Sequence, residues 1–131
     1  MIGLDTNVLV RYIMQDDARQ SPKATTLMES LTTDAPGFVS LVSIVELGWV
    51  LAAAYGLSRE QVVQALELLL RTKEIVIDHG EQVSQALRAF KTSSADFADC
   101  LIERSAAGAG CDRTMTFDVG AAKAAGMTLI R

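Results

Sequence analysis

The chain has 131 residues, half of them apolar, with 12 basic against 16 acidic side chains and a formal charge of −4. That length supports one domain with a sizeable hydrophobic core, and abundant Leu, Val and Ala with only two prolines argue against disorder. Charged residues such as Asp5, Arg11 and Glu46 interrupt every apolar run before membrane-spanning length, and the opening lacks the basic-then-apolar order of a secretory signal, so a cytoplasmic protein is expected.

Met1 to Leu4 is a brief apolar run ending at Asp5, and Val8, Leu9, Tyr12 and Ile13 then fall at helical spacing, which predicts a strand followed by a helix over Thr6 to Met14. Gln15 to Ser21 is a polar link, and Pro22 suits the first turn of a helix reaching about Leu31. After a loop at Thr33 to Gly37, a strand is expected at Phe38 to Leu41 and a helix from Ile44 through Ala54, stopped near Gly56. Ser58 with Gln61 three positions on predicts a capping box for the next helix, whose apolar face holds Val62, Leu66, Leu69 and Leu70.

Glu74 to Ile77 reads as a strand with Asp78, His79 and Gly80 as its exit, followed by a helix marked by Val83, Leu87 and Phe90. The segment SSADFADCLI opens a further helix that reaches Ala107 and ends at Gly108 and Gly110. A strand at Thr114 to Phe117, a short helix at Ala121 to Ala125 and a strand at Met127 to Ile130 complete the chain. Strands separated by helices imply an α/β fold with a parallel sheet covered on both sides, whose carboxyl edge is the place for a ligand.

The acids fall into a pattern on that scaffold. Asp5 and Asp118 each follow a strand directly, Glu46 lies in the first turn of an apolar helix, and Asp96 and Asp99, three apart, share one helical face. Carboxylates gathered on apolar elements repel one another and are costly to desolvate, and a divalent cation relieves both. Only oxygen ligands are on offer, without a Cys or His cluster, so Mg²⁺ or Mn²⁺ is the expected ion and phosphodiester hydrolysis the expected chemistry. Cys100 and Cys111 are too far apart for a metal pair or redox motif, and Cys100 reads as a small buried hydrophobe.

Four of the five acids also have a structural alternative. Asp5, Asp96 and Asp118 could cap helices, and Ser43 with Glu46 matches a capping box. Asp99, between Phe97 and Leu101, stands where no cap is needed. His79 reads as a surface turn residue; Arg11, Lys91 and Arg113 are phosphate-contact candidates or ordinary surface charges; Tyr12, Trp49 and Tyr55 fit core or interface packing.

The blocks GLDTNVLVR (Gly3 to Arg11), SIVELGWVL (Ser43 to Leu51), ADFADCLI (Ala95 to Ile102) and TFD (Thr116 to Asp118), in that order over nearly the whole chain, resemble the PIN-domain family, in particular the VapC-like toxins of type II toxin–antitoxin pairs. The resemblance implies a single domain over 1–131, a three-layer α/β/α sandwich with a mainly parallel sheet, and a Mg²⁺- or Mn²⁺-dependent endoribonuclease leaving 5′-phosphate and 3′-hydroxyl ends. It places Asp5, Glu46, Asp99 and Asp118 at the acidic catalytic positions, with Asp5, Asp99 and Asp118 as metal ligands, Glu46 and Asp96 as further ligand candidates, and Asn7 and Thr116 in support. It also implies an RNA substrate and a small VapB-like antitoxin. The apolar helices around Trp49 to Leu70 offer a surface for a homodimer, or else close the chain's own core. The chain departs from the pattern after Asp118, where Val119-Gly120-Ala121-Ala122 replaces the usual basic or bulky residues. Two non-catalytic alternatives stand beside this reading: a PIN scaffold that binds without cutting, and a receiver-like magnesium-binding module, which the lack of an adjacent acidic pair near the first strand disfavours.

Overall fold

A computed structural model describes residues 1–131, and its strands sort into two parallel sheets, one in each of two compact units, Met1–Asp78 and His79–Arg131. In the first unit, β1 (Ile2–Gly3), β2 (Gly37–Val39) and β3 (Ile75–Ile77) lie in the order β1-β2-β3. Ile2 pairs with Gly37, and Gly37, Phe38 and Val39 pair with Ile75, Val76 and Ile77. The central strand is covered closely: a Cβ on Gly37 would lie 2.7 Å from Leu4 Cδ1 and 2.9 Å from Leu31 Cδ1, so glycine is what lets these two leucines close over it.

Two helices link each strand to the next. Between β1 and β2 run α1 (Thr6–Met14) and α2 (Gln20–Ser30); between β2 and β3 run α3 (Leu41–Trp49), a π-helical turn at Val50–Ala54, and α4 (Arg59–Arg71). α1 packs on α2 and α3, and α4 packs on β3. Leu9, Val39, Ile44, Leu47, Leu51, Val62, Leu66 and Leu69 are almost wholly buried and form the core of this unit. The apolar periodicity of α1 and α4 is thus spent on packing, which is where most helix stability in a folded domain comes from.

Helix starts differ from expectation where a polar side chain takes the free N–H groups earlier than the apolar pattern suggests. α2 begins at Gln20 because Asp17 Oδ1 accepts from the N–H groups of Arg19 (2.9 Å) and Gln20 (2.7 Å), and Pro22 sits within the first turn, where a missing N–H costs nothing. α3 begins at Leu41, not Ile44, because Ser40 is extended and its Oγ accepts from Ser43 N–H at 3.2 Å. The second strand accordingly ends at Val39 instead of Leu41. The predicted continuous helix to Ala54 instead widens after Trp49, with Tyr55 N–H bonding Val50 O at 3.2 Å, five residues back.

α4 carries the predicted capping box: Ser58 Oγ accepts from Gln61 N–H at 3.2 Å and Gln61 Oε1 accepts from Ser58 N–H at 2.9 Å. Ser58→Ala is expected to lower stability by about 1 kcal/mol in urea denaturation, as loss of such a cap does; an unchanged midpoint would show that the box adds nothing here.

In the second unit, α5 (Gly80–Lys91) and α6 (Phe97–Gly108) form a packed pair, with Val83, Ala86, Leu87 and Phe90 of α5 and Phe97, Cys100 and Leu101 of α6 buried. The Phe90 and Phe97 rings meet edge to face, centroids 5.8 Å apart. β4 (Met115–Thr116) pairs in parallel with β5 (Thr128–Leu129) across α7 (Val119–Ala124), and Gly126, at φ +77°, makes the turn from α7 into β5. The predicted strand to Phe117 is shorter and α7 starts two residues before Ala121, because Asp118 turns the chain out of the sheet and caps the helix. His79, exposed at φ 52°, is the expected turn residue. No helix is long and apolar enough to cross a membrane.

Candidate active site

Because all three strands of the first sheet are parallel, the residues that follow them, Asp5, Ser40 and Asp78, lie at one edge. Asp5 is extended (φ −75°, ψ 154°), forms the N-cap of α1, and its Oδ1 accepts from Thr6 N–H at 2.7 Å. Asp78 Oδ2 accepts from Leu41 N–H at 3.4 Å, adding a carboxylate at the start of α3. Glu46 lies one turn further along α3. Since that helix starts at Leu41, Glu46 is in the second turn and not the first, and the Ser43–Glu46 capping box does not form; Ser40 is the cap instead. Glu46 is therefore an exposed acid on an apolar helix with no capping duty.

A cavity of about 290 Å³ joins these residues, lined by Asp5, Thr6, Asn7 and Glu46 with Val10, Arg11, Val50 and Tyr55. Its far wall is set by the π-helical turn, which carries Val50 and leads directly into Tyr55. Two contributors to this cavity were not singled out as polar site residues by sequence. Thr6 is buried, and its hydroxyl makes no hydrogen bond. Tyr55, expected to pack in a core or an interface, is half-buried and donates its hydroxyl to Asp16 Oδ2 at 2.7 Å while accepting from Arg11 Nη1 at 3.2 Å. An aromatic residue after a helical run gives no sequence signal for such a network, because its partners are some forty residues away, Arg11 in the last turn of α1 and Asp16 in the α1–α2 link. Trp49 is 66% exposed and so does not belong to the core of the chain.

The remaining predicted acids cluster in the second unit. Asp96 is the N-cap of α6, its Oδ1 accepting from Ala98 N–H at 2.7 Å and Asp99 N–H at 3.4 Å. Asp99 is the third helical residue, in the first turn, not deeper as the apolar neighbours suggested. Its carboxyl is pushed above the ordinary aspartate range, first by partial burial and then by the negative charges of Asp96 and Asp118. Asp118 caps α7, its Oδ1 accepting from Gly120 N–H at 2.7 Å and Ala121 N–H at 3.2 Å. Thr116 Oγ1 accepts from Asp118 N–H at 3.0 Å, so the threonine steadies the backbone that presents this acid.

Asp5, Asn7 and Glu46 are thus brought together within the first unit, and Asp96, Asp99 and Asp118 interact within the second. No group of three or more His, Cys, Asp or Glu side chains is spaced to hold a metal ion. The donor chemistry nevertheless fits a hard cation. Every available ligand is an oxygen, and the repulsion that Asp96 and Asp118 impose on Asp99 is the kind a divalent ion relieves.

The sequence pattern of the PIN domain matches residues 2–127. No curated protein matches the chain. Among solved structures it is similar to the crystal structure of Mycobacterium tuberculosis VapC20, a Sarcin-Ricin loop cleaving toxin, at 19% identity over 100% of this chain and 99% of that one, with a TM-score of 0.48. The match from residue 2 to residue 127 takes in the whole first sheet, every helix and all five acids, and the chain belongs to the PIN-domain family, with its α/β/α fold.

Proposed function

We propose that this chain is a Mg²⁺- or Mn²⁺-dependent endoribonuclease, the toxin of a toxin–antitoxin pair, working in the cytoplasm as one nuclease domain over residues 1–131. The observation that carries the reading is the cavity in which Asp5 and Glu46 meet beside Asn7, in a chain whose PIN-domain match extends over residues 2–127. Asp5, Asp99 and Asp118 would hold the cation, with Glu46 and Asp96 contributing at its margin. When bound, the ion would offset charge on the nonbridging and leaving oxygens of an RNA phosphate.

The chain's own groups do the positioning. Thr6 N–H holds the Asp5 carboxylate, and Thr116 Oγ1 holds the backbone of Asp118. Asp99 or Asp118 would orient the attacking water, and hydrolysis would leave a 5′-phosphate and a 3′-hydroxyl. Cleavage through the ribose hydroxyl would want a pair of histidines, and the chain has one, His79, in an exposed turn.

A small antitoxin would cover the acidic cavity and set a basic side chain against it. A homodimer would form around Trp49 to Leu70, where Trp49 and Leu68 are exposed large hydrophobes.

The test is to purify the chain free of any partner, add Mg²⁺ or Mn²⁺, and sequence new RNA ends with and without chelator. Metal-dependent 5′-phosphate ends support the reading, and intact RNA from a broad cellular pool overturns it. In the same assay Asp96→Asn is expected to slow cleavage less than Asp99→Asn. Asparagine caps a helix as well as aspartate does, so α6 should be unharmed; equal losses would make Asp96 a principal acid. One observation favours a non-cutting scaffold: Asp5, Asp96 and Asp118 each already have work as helix caps. Intact RNA would select that alternative.

A further inference from the structure

The acidic cavity does not end at Arg11. A second cavity, also of about 290 Å³, shares Asn7 and Arg11 with the first and continues between α1 and α2, where it is lined by Gln20 and Lys23 as well as apolar side chains. Arg11 stands on the boundary, and its orientation is fixed. Nε donates to Gln20 Oε1 at 2.8 Å, and Nη1 donates to Asp16 Oδ1 at 3.1 Å and to the Tyr55 hydroxyl at 3.2 Å. Tyr55 in turn donates to Asp16, so the guanidinium is held from two sides while both N–H groups of Nη2 remain without a protein partner. Lys23 is exposed and makes no ion pair.

We propose that Arg11 and Lys23 form a phosphate-binding step for single-stranded RNA, receiving a backbone phosphate that neighbours the one cut beside Asp5 and Glu46. The inference rests on the nuclease reading for the identity of the strand. The geometry suits a polyanion. A negatively charged chain approaching Asp5 and Glu46 is repelled by them, and two cations at the adjoining cavity offset that repulsion on one side of the cut. The Arg11 fork is already ordered by Asp16 and Tyr55, so little side-chain freedom is lost when a phosphate binds. Arg11 then contacts the strand itself, and Asp16 and Tyr55 are the positioning residues that hold it.

The experiment is RNA binding by fluorescence anisotropy with a single-stranded oligonucleotide and the full chain in EDTA, over a series of NaCl concentrations. Each phosphate contact on a single strand contributes about 0.7 to the slope of log K against log salt. Arg11→Ala and Lys23→Ala are each expected to reduce the slope by about 0.7, and Arg11→Lys to retain it with weaker binding. Tyr55→Phe should keep the slope and weaken binding a few fold, because the charge stays while its orientation loosens. Circular dichroism checks folding, and Lys23, with no protein partner to lose, keeps the test decisive if Arg11→Ala unfolds.

Slopes unchanged in the folded variants would overturn the proposal, as would a wild-type chain with no RNA affinity, the result expected if this cavity seats a protein segment. Its failure is separable from that of the nuclease reading. Normal cutting with unchanged slopes sinks the phosphate step alone, whereas lowered slopes without metal-dependent cutting sink the nuclease and leave the step standing.

Discussion

Asp99→Asn is expected to reduce RNA cleavage by at least about a hundredfold, the loss typical when a charged group at a reacting centre is removed at constant volume. The same change should raise the thermal midpoint of the metal-free protein at neutral pH. The raised Asp99 carboxyl means that folding disfavours its ionised form relative to the unfolded chain, owing first to partial burial and then to Asp96 and Asp118. A carboxyl whose folded pKa lies above its unfolded value favours folding fully only below the unfolded value, and that advantage is lost as pH rises through the folded one. At neutral pH the ionised side chain is therefore a net penalty, which asparagine removes. An acid in the first turn of a helix would ordinarily be welcome for its effect on the helix dipole. Here two further carboxylates act on it, and the upward direction says that burial and repulsion prevail.

Thermal melts at neutral and acidic pH, with and without Mg²⁺, test both halves. The stability gain should vanish in acid, where the wild-type carboxyl is already neutral. Mg²⁺ should stabilise the wild type more than the variant. A folded variant that cuts near the normal rate removes Asp99 from the site, and a lowered midpoint at neutral pH contradicts the electrostatic account.

Asp5→Asn should also reduce cleavage by at least about a hundredfold, but with almost no change in stability, within about 0.5 kcal/mol. Asp5 has two jobs that alanine would confound. Its Oδ1 accepts from Thr6 N–H as the cap of α1, and its charge faces the cavity shared with Glu46. Asparagine keeps the oxygen for the first and removes the charge for the second, since the two residues cap about equally well. Rates measured beside denaturation curves separate the roles. A near-normal rate in the folded variant would mean that Asp5 is only a cap, whereas low activity with a collapsed melting curve would mean that its charge matters to the fold.

Much of the scaffold was legible because short-range rules govern it. The order of strands and helices, the capping box at Ser58 and Gln61, the turn at His79 and the burial of Cys100 all follow from periodicity, cap chemistry and local composition. The helix starts were less legible. Ser40 caps α3 and Asp17 takes the Arg19 and Gln20 N–H groups at the start of α2, each ahead of the residues that the apolar pattern favoured, and Glu46 moved from a first turn to a second because α3 starts at Leu41. A cap is chosen by backbone conformation as well as by residue type, and several polar residues competed at each boundary.

Sequence alone determined the residue types, their order and their resemblance: five acids placed after strands or on helices in the arrangement of a PIN domain, with oxygen as the only ligand atom on offer. Tertiary structure alone decided which of them share surroundings. Pairing of β1 with β2, and the packing of α1 on α3, bring Asp5 to Glu46 across forty residues of chain, and the π-helical turn delivers Tyr55 to Arg11 and Asp16. These contacts depend on strand register and helix packing between distant segments, and no local pattern of residues encodes either.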